Sequence, residues 1–349
     1  MSDRIYEGLF APVPIAEIMP GTPMLEIRPG DPWDGAKPLD VPLDPQAAFL
    51  IDAPTATPDL VGWQLGGALV GPGNGLVMAH RPRRILAEST NIGPGRTVSF
   101  RQMSRLRPST VSGTASLLFS TSRGHYHSPV DSIARLCVLG LPPLAERTVD
   151  VLYAGPLSPV EQLLLDRLAP ANVRLRRLDS GDLVRVEELL LPSFPAWRFS
   201  GWLPSWYLTE LRAALLPERE PRRSGRIFIT RRGRRRILNE GEVVRRLSRH
   251  GFVPVDLEDL SFEEQIDLFY DAEVVVGAHG AGLTNMLFSQ DALLVEIFPT
   301  GFVFPHYLLL GVPLGNRYRF VLGNCPTRYE DFEIDPGAVE DEVVAGLQS

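Results

Sequence analysis

From about Ser116 onward, apolar residues fall into short continuous runs that alternate with segments of helical spacing. LLFS (117–120) predicts a strand. In the following GHYHSPVDSIARLCVLG, the residues Val130, Ile133, Ala134, Cys137 and Val138 recur at helical intervals. TVDVLYAG predicts a strand and SPVEQLLLDRLA a helix, with Ser158 as cap and Glu161 three residues later. VRLRRL predicts a further strand, and VRVEELLLP closes this half. An aromatic-rich, then helical stretch (FPAWRFSGWLPSWYLTELRAALLP) and the basic EREPRRSG lead into a second alternating series. That series reads strand RIFIT, helix Asn239 to Arg249, strand FVPVDL, helix Ser261 to Tyr270, strand EVVVGA, glycine turn, short helix and strand Ala292 to Phe298. A last helix–strand pair, HYLLLGV and YRFVLG, completes it. Such alternation predicts parallel sheets with right-handed crossovers.

The first third differs. Residues 1 to 60 read as extended, proline-punctuated chain, and WQLGGALVGPGNGLVM (63–78) as a hairpin. Its glycine cluster mimics a phosphate loop but joins strand to strand, not strand to helix. With 349 residues, the chain is long enough for two α/β domains. The basic linker sets them at 1–200 and 201–349. The acidic tail after Tyr329 reads as a solvated helix or partly disordered chain, with packing against the N-terminal domain as a further alternative.

Composition narrows the function classes. The net charge of −7 argues against general affinity for nucleic acid. No apolar run is long enough to span a membrane, and the N-terminus lacks the basic and apolar regions of an export signal. Cys137 and Cys325 make neither a disulfide framework nor a metal motif. The expectation is a cytoplasmic protein with at most peripheral membrane association.

Three segments carry candidate chemistry. In AEVVVGAHGAGLTNMLFSQDALLVEIFP (272–299), a buried strand runs into His279-Gly280-Ala281-Gly282 and then a helix, which brings backbone N–H groups to an anion, usually phosphate. Glu296, in the next strand, stands where mononucleotide-binding units place an acid for ribose hydroxyls. A tight packing turn is the plainer alternative. Eight arginines lie between Arg222 and Arg236. Arg231 and Arg232 close a strand at the edge where open α/β sheets bind ligands, and guanidinium forks suit diphosphate. Third, His127 and Asp131 share one face of a helix, so either could take a proton from a hydroxyl nucleophile. A capped helix start with a surface histidine is the alternative there. Walker, H-E-x-x-H, G-x-S-x-G and Asp-x-Asp motifs are all missing. Any nucleotide should therefore be held by backbone dipoles and arginines, with no metal ion expected.

Taken in order, these blocks resemble glycosyltransferase family 61, which includes bacterial capsular-polysaccharide proteins and eukaryotic xylosyl- and N-acetylglucosaminyltransferases. FITRRGRRRILNE, LEDLSFEEQIDLFYDAEVVVGAHGAGLTNMLF and VEIFP carry the likeness over 226–298, and HYHSPVDSIARL extends it upstream. Ser128-Pro129 departs from the family's Trp-Leu. The resemblance implies a GT-B-like fold, two Rossmann-like domains facing a central cleft, with inversion at the anomeric carbon. It assigns Arg231, Arg236 and His279–Gly282 to the donor diphosphate, Glu296 to the ribose, Asn239 and Asn285 to the pocket, and His127 or Asp131 to the base. The implied partners are a nucleotide-sugar donor, a UDP-sugar first, and a surface or lipid-linked glycan acceptor, with no cofactor. The competing function is a non-catalytic protein that binds anionic polymer or glycan through the 222–236 arginines.

Overall fold

The computed structural model describes residues 4–32, 56–79, 84–91, 98–104, 108–179, 182–196, 201–300, 303–325 and 331–348. These divide into two compact units, the first made of 4–31 and 56–196, the second of 201–348. Much of the proline-punctuated opening (33–55) lies outside the described residues.

The first unit begins with β1 (Arg4–Phe10), a single turn α1 (Ile15–Ile18), β2 (Met24–Arg28), β3 (Leu60–Gly66), β4 (Leu69–Val70), β5 (Val77–Met78) and β6 (Val98–Ser104). β1 and β6 form a separate antiparallel ribbon. The other four strands join β7 (Thr110–Leu117), β8 (Val149–Ala154), β9 (Val173–Leu178) and β10 (Val184–Pro192), making eight strands in one sheet with a main order β2-β3-β10-β7-β8-β9. β10, β7, β8 and β9 run parallel, whereas β3, β2 and the β4–β5 hairpin pair antiparallel. The sequence suggested a turn-rich β start followed by α/β here; the sheet combines antiparallel and parallel strands. β4 and β5 are joined by a short turn, which only antiparallel neighbours allow, whereas β2 and β3 pair antiparallel across a long connection. The strand expected at 117–120 lies earlier, and Leu118–Ser120 run on past its carboxyl end, all three buried.

Helical spacing after Gly124 is realised in two parts. Ser128–Ile133 winds as a π-helix, every residue buried, and continues into α2 (Ala134–Val138). α3 (Pro159–Leu168) starts at the expected capping box: Ser158 Oγ accepts from the Glu161 N–H at 3.2 Å, and the Glu161 carboxylate accepts from Ser158 N–H at 2.8 Å.

The second unit contains α4 (Ser205–Leu215), β11 (Gly225–Ile229), α5 (Glu240–Leu247), β12 (Val253–Val255), α6 (Phe262–Tyr270), β13 (Ala272–Ala278), β14 (Leu293–Pro299), α7 (His306–Gly311), β15 (Arg317–Gly323) and α8 (Pro336–Gln348). Its sheet has the order β12-β11-β13-β14-β15 and every pairing is parallel. β14 is buried along its whole length, which explains its unbroken apolar sequence. The acidic tail is not a solvated helix. α8 buries Val339, Val343 and Gly346 and packs on α5, β14 and β15 of its own unit. From β11 the chain goes to β12 on one side and later returns to β13 on the other. This reversal makes the carboxyl ends of β11 and β13 the switch point of the sheet, the place where such folds bind ligands. Among the described residues, no helix is long and apolar enough to cross a membrane.

Candidate functional site

Strand register brings two of the sequence candidates together. Ile229, Gly277 and Glu296 lie side by side in the sheet, so Arg231 and His279, each two residues further on, leave the same edge at the switch point. Arg231 crosses the turn and donates from Nη1 to the His279 carbonyl at 3.0 Å and from Nε to the Arg234 carbonyl at 2.5 Å. Gly280 permits this crossing. Its backbone is extended (φ 176°), but a Cβ there would stand 1.7 Å from Arg231 Nη1. Ala281–Leu287 follows as a seven-residue 3₁₀-helix rather than an α-helix. The N–H groups of Ala281 and Gly282 have no protein acceptor among the described residues. Burial holds the carboxyl of Glu240, at the start of α5, above the ordinary range.

Behind the turn, His279 is buried and tied down on several sides. Its N–H donates to the Ile297 carbonyl at 2.8 Å, and its Nδ1 lies 2.5 Å from Glu296 Oε1. The ring stacks on Phe298 (centroids 5.0 Å apart, planes at 24°) and on Phe304 (6.0 Å, 23°). Glu296 is fully buried, and its other oxygen accepts the Tyr318 hydroxyl at 2.7 Å. Expected against a ribose, Glu296 is therefore committed to His279 and Tyr318. Tyr307 donates its hydroxyl to the Gly280 carbonyl at 2.6 Å. Burial, then the charges of Arg235 and Arg231, push the His279 imidazolium down to about 3, and burial pushes Glu296 well above the usual carboxylate range. The contact has the spacing of an ion pair, yet both shifts favour neutral partners. We take it as neutral, because no second cation forms an ion pair with Glu296 among the described residues.

The remaining donor-side candidates have partners within the protein. Arg236 is exposed and holds Asp331 through Nε at 3.0 Å and Nη2 at 2.7 Å. Its neighbour Arg235, in the left-handed region (φ 61°), is the one whose charge reaches His279 and Tyr307. Asn239 fastens the backbone of Ile334, donating at 2.7 Å and accepting at 3.1 Å. Asn285 is buried and donates to Gln265 of α6 at 2.8 Å. Of the eight arginines in 222–236, Arg222, Arg223, Arg226, Arg232 and Arg236 each pair with a carboxylate. Arg231 makes no ion pair among the described residues, and burial lowers its affinity for its proton.

In the first unit, the π-helical turn sets His127 against Asp131, with Nδ1 to Oδ2 at 2.6 Å. The histidine side chain keeps 32% of its exposure and the aspartate only 6%. Asn91 donates to the same Asp131 oxygen at 2.6 Å and is itself fixed by Thr121 at 2.8 Å. A carboxylate at Nδ1 holds the proton there and leaves Nε2 as the acceptor. The geometry thus separates the two candidates: His127 is presented, and Asp131 orients it. Beneath them, Arg135 is fully buried, donates to the carbonyls of Leu117 (3.3 Å) and Phe119 (3.0 Å), and is pushed by burial down to about 10. Asn91, Tyr307 and Tyr318 carried no signal in the sequence, and Arg235 none beyond its place in the arginine run. Asn91 is far along the chain from the dyad, and both tyrosines read as ordinary members of a helix and a strand.

The second unit is thus a parallel α/β sheet whose switch point gathers guanidinium groups, open amides and a neutral imidazole. A family model described as Glycosyltransferase 61 matches residues 79–295. That span covers well over half of the sequence, and the chain belongs to glycosyltransferase family 61. Over 70 residues it is 36% identical to the EGF domain-specific O-linked N-acetylglucosamine transferase of Gallus gallus, covering 18% of this chain and 13% of that one. Over 85 residues it is 35% identical to Protein O-linked-mannose beta-1,4-N-acetylglucosaminyltransferase 2 of Xenopus laevis, covering 23% and 15%. The match spans far less than two thirds of either relative.

Proposed function

We propose that the protein transfers a sugar from a nucleotide donor to a glycan hydroxyl as an inverting, metal-independent, GT-B-type enzyme. The observation that carries this reading is the convergence of Arg231, Arg235 and the His279–Gly282 turn at the switch point of a family 61 sheet. Two guanidinium groups, that of Arg231 held in place by two carbonyls, and two open amides suit a diphosphate and offset the charge that grows on it as the sugar departs. His127, oriented by Asp131 and Asn91, takes the proton of the acceptor hydroxyl. The names of the relatives make N-acetylglucosamine the first sugar to test, with UDP as its carrier. A surface or capsular glycan remains our candidate acceptor, handled on the cytoplasmic face of the membrane. The pairing of five arginines with carboxylates counts against the competing polyanion-binding function.

Hydrolysis of UDP-N-acetylglucosamine and transfer to a glycan panel, each with EDTA in excess, test the proposal. Turnover that survives chelation supports it. Dependence on Mg²⁺, or no turnover with any nucleotide sugar, contradicts it.

A further inference from the structure

The contact between His279 and Glu296 fixes more than the orientation of a ring. Nδ1 and Oε1 are 2.5 Å apart, so one hydrogen lies between them. The Tyr318 hydroxyl fills Oε2 from the other side. Because that hydroxyl donates to Oε2, the acid hydrogen is confined to Oε1, and two proton placements leave the pair without net charge: a carboxylic acid giving its Oε1 hydrogen to a neutral ring, or a carboxylate against an imidazolium. Nε2 carries a hydrogen in both. It loses that hydrogen only when the pair as a whole gives up a proton, which leaves Nδ1–H facing a carboxylate. Burial of Glu296 opposes that loss, since it holds the carboxyl well above the usual range.

We propose that Glu296 and Tyr318 are positioning residues that hold His279 as an Nε2–H hydrogen-bond donor to the phosphate oxygens of the nucleotide. The ligand rests on the nucleotide reading above, whereas the tautomer rests on the contact itself. The charged and titratable groups around the ring fit this role. Arg231 and Arg235 come from the loop after β11, His306 and Tyr307 from α7, and Tyr318 from β15. Two cations disfavour a third positive charge on the ring, while a neutral donor adds to anion affinity without repelling them. A bare Nε2 would set its lone pair against those of the phosphate. Stacking on Phe298 and Phe304 fixes the plane in which that hydrogen points.

Glu296→Gln is the informative variant, because its amide can donate to Nδ1 while its carbonyl accepts from Tyr318. Histidine-selective nitrogen-15 labelling reads the tautomer in the ligand-free protein near neutral pH. The His279 signal is assigned by its loss in His279→Gln. A protonated Nε2 in both the wild type and Glu296→Gln is expected; a bare Nε2 beside Nδ1–H overturns the proposal whatever the protein's activity. UDP titrations supply the second arm. Wild-type affinity should fall about tenfold or more as the pair loses its proton at alkaline pH, and Glu296→Gln should not show this fall. An equal fall in both overturns the proposal. Should Glu296→Gln not fold, Tyr318→Phe removes a donor that favours the carboxylate, so the alkaline fall should move to higher pH; an unmoved fall counts against us. If UDP does not bind the wild type at any pH, the nucleotide reading and the ligand assigned to Nε2 both fail, while a protonated Nε2 would still uphold the tautomer.

Discussion

Gly280 shows how a single hydrogen can decide the use of a loop. Its backbone would suit any residue; only the Arg231 guanidinium, lying where a side chain would be, requires glycine. Gly280→Ala should push that guanidinium off the turn and weaken UDP binding about tenfold or more, with a melting temperature close to that of the wild type. Unchanged affinity by calorimetry would mean that Arg231 does not serve the anion from this position. On the acceptor side, His127→Gln should lower transfer by about 10²- to 10⁴-fold and leave UDP affinity intact. Normal transfer by this variant would remove His127 as the base. At this scale the sequence was only partly readable. Residue types marked the His279–Gly282 turn and Arg231, because glycine and arginine at a strand end have few other uses. They could not separate Arg235 from Arg236, since the choice depends on a left-handed backbone at Arg235 and on Asp331 capturing Arg236. Nor could they show Glu296 turned toward His279, because one buried carboxylate in a strand looks the same whether it serves a ligand or a neighbour.

Elements with strong local signals formed where expected. Ser261 and Glu264 close the capping box of α6 at 3.2 and 2.7 Å, and the β-branched run of β13 is buried at the centre of its sheet. Elements whose signal depends on distant partners were harder to see. The acidic residues of α8 masked an apolar stripe, Val339 and Val343, that packs in the core of the second unit with Val243 and Leu247 of α5. Asn239, expected near the ligand, instead ties the start of α5 to Ile334 just before α8. Asn239→Ala removes both of those hydrogen bonds and should cost about 1–3 kcal/mol in denaturant unfolding, with UDP affinity unchanged. A large loss of affinity at full stability would return Asn239 to the binding site.

For the whole molecule, the buried pair predicts how stability follows pH. His279 is held near 3 in the folded protein against an ordinary 6.5. Its contribution is therefore fully present above about 6.5 and is lost as pH falls toward 3, at up to about 1.4 kcal/mol per unit. Glu296 is shifted the other way, so its contribution is present at low pH and is lost as pH rises through its raised folded value. Thermal denaturation from neutral to mildly acidic pH should destabilise the wild type more than His279→Gln; parallel curves would contradict a buried neutral imidazole. The mixed sheet of the first unit was the least readable part of the fold, because β4 and β5 are only two residues each, and the antiparallel pairing of β3 and β4 with β10 joins segments far apart in sequence. The parallel pairing of the second unit followed from its alternation, whereas the strand order, which creates the switch point on which the functional account depends, came from the structure. Calorimetric titration of UDP into the wild type and Arg231→Ala, with EDTA present, tests that dependence most directly. The account predicts binding by the wild type and an affinity at least about tenfold weaker in the variant; equal affinities, or no binding by the wild type, would contradict it.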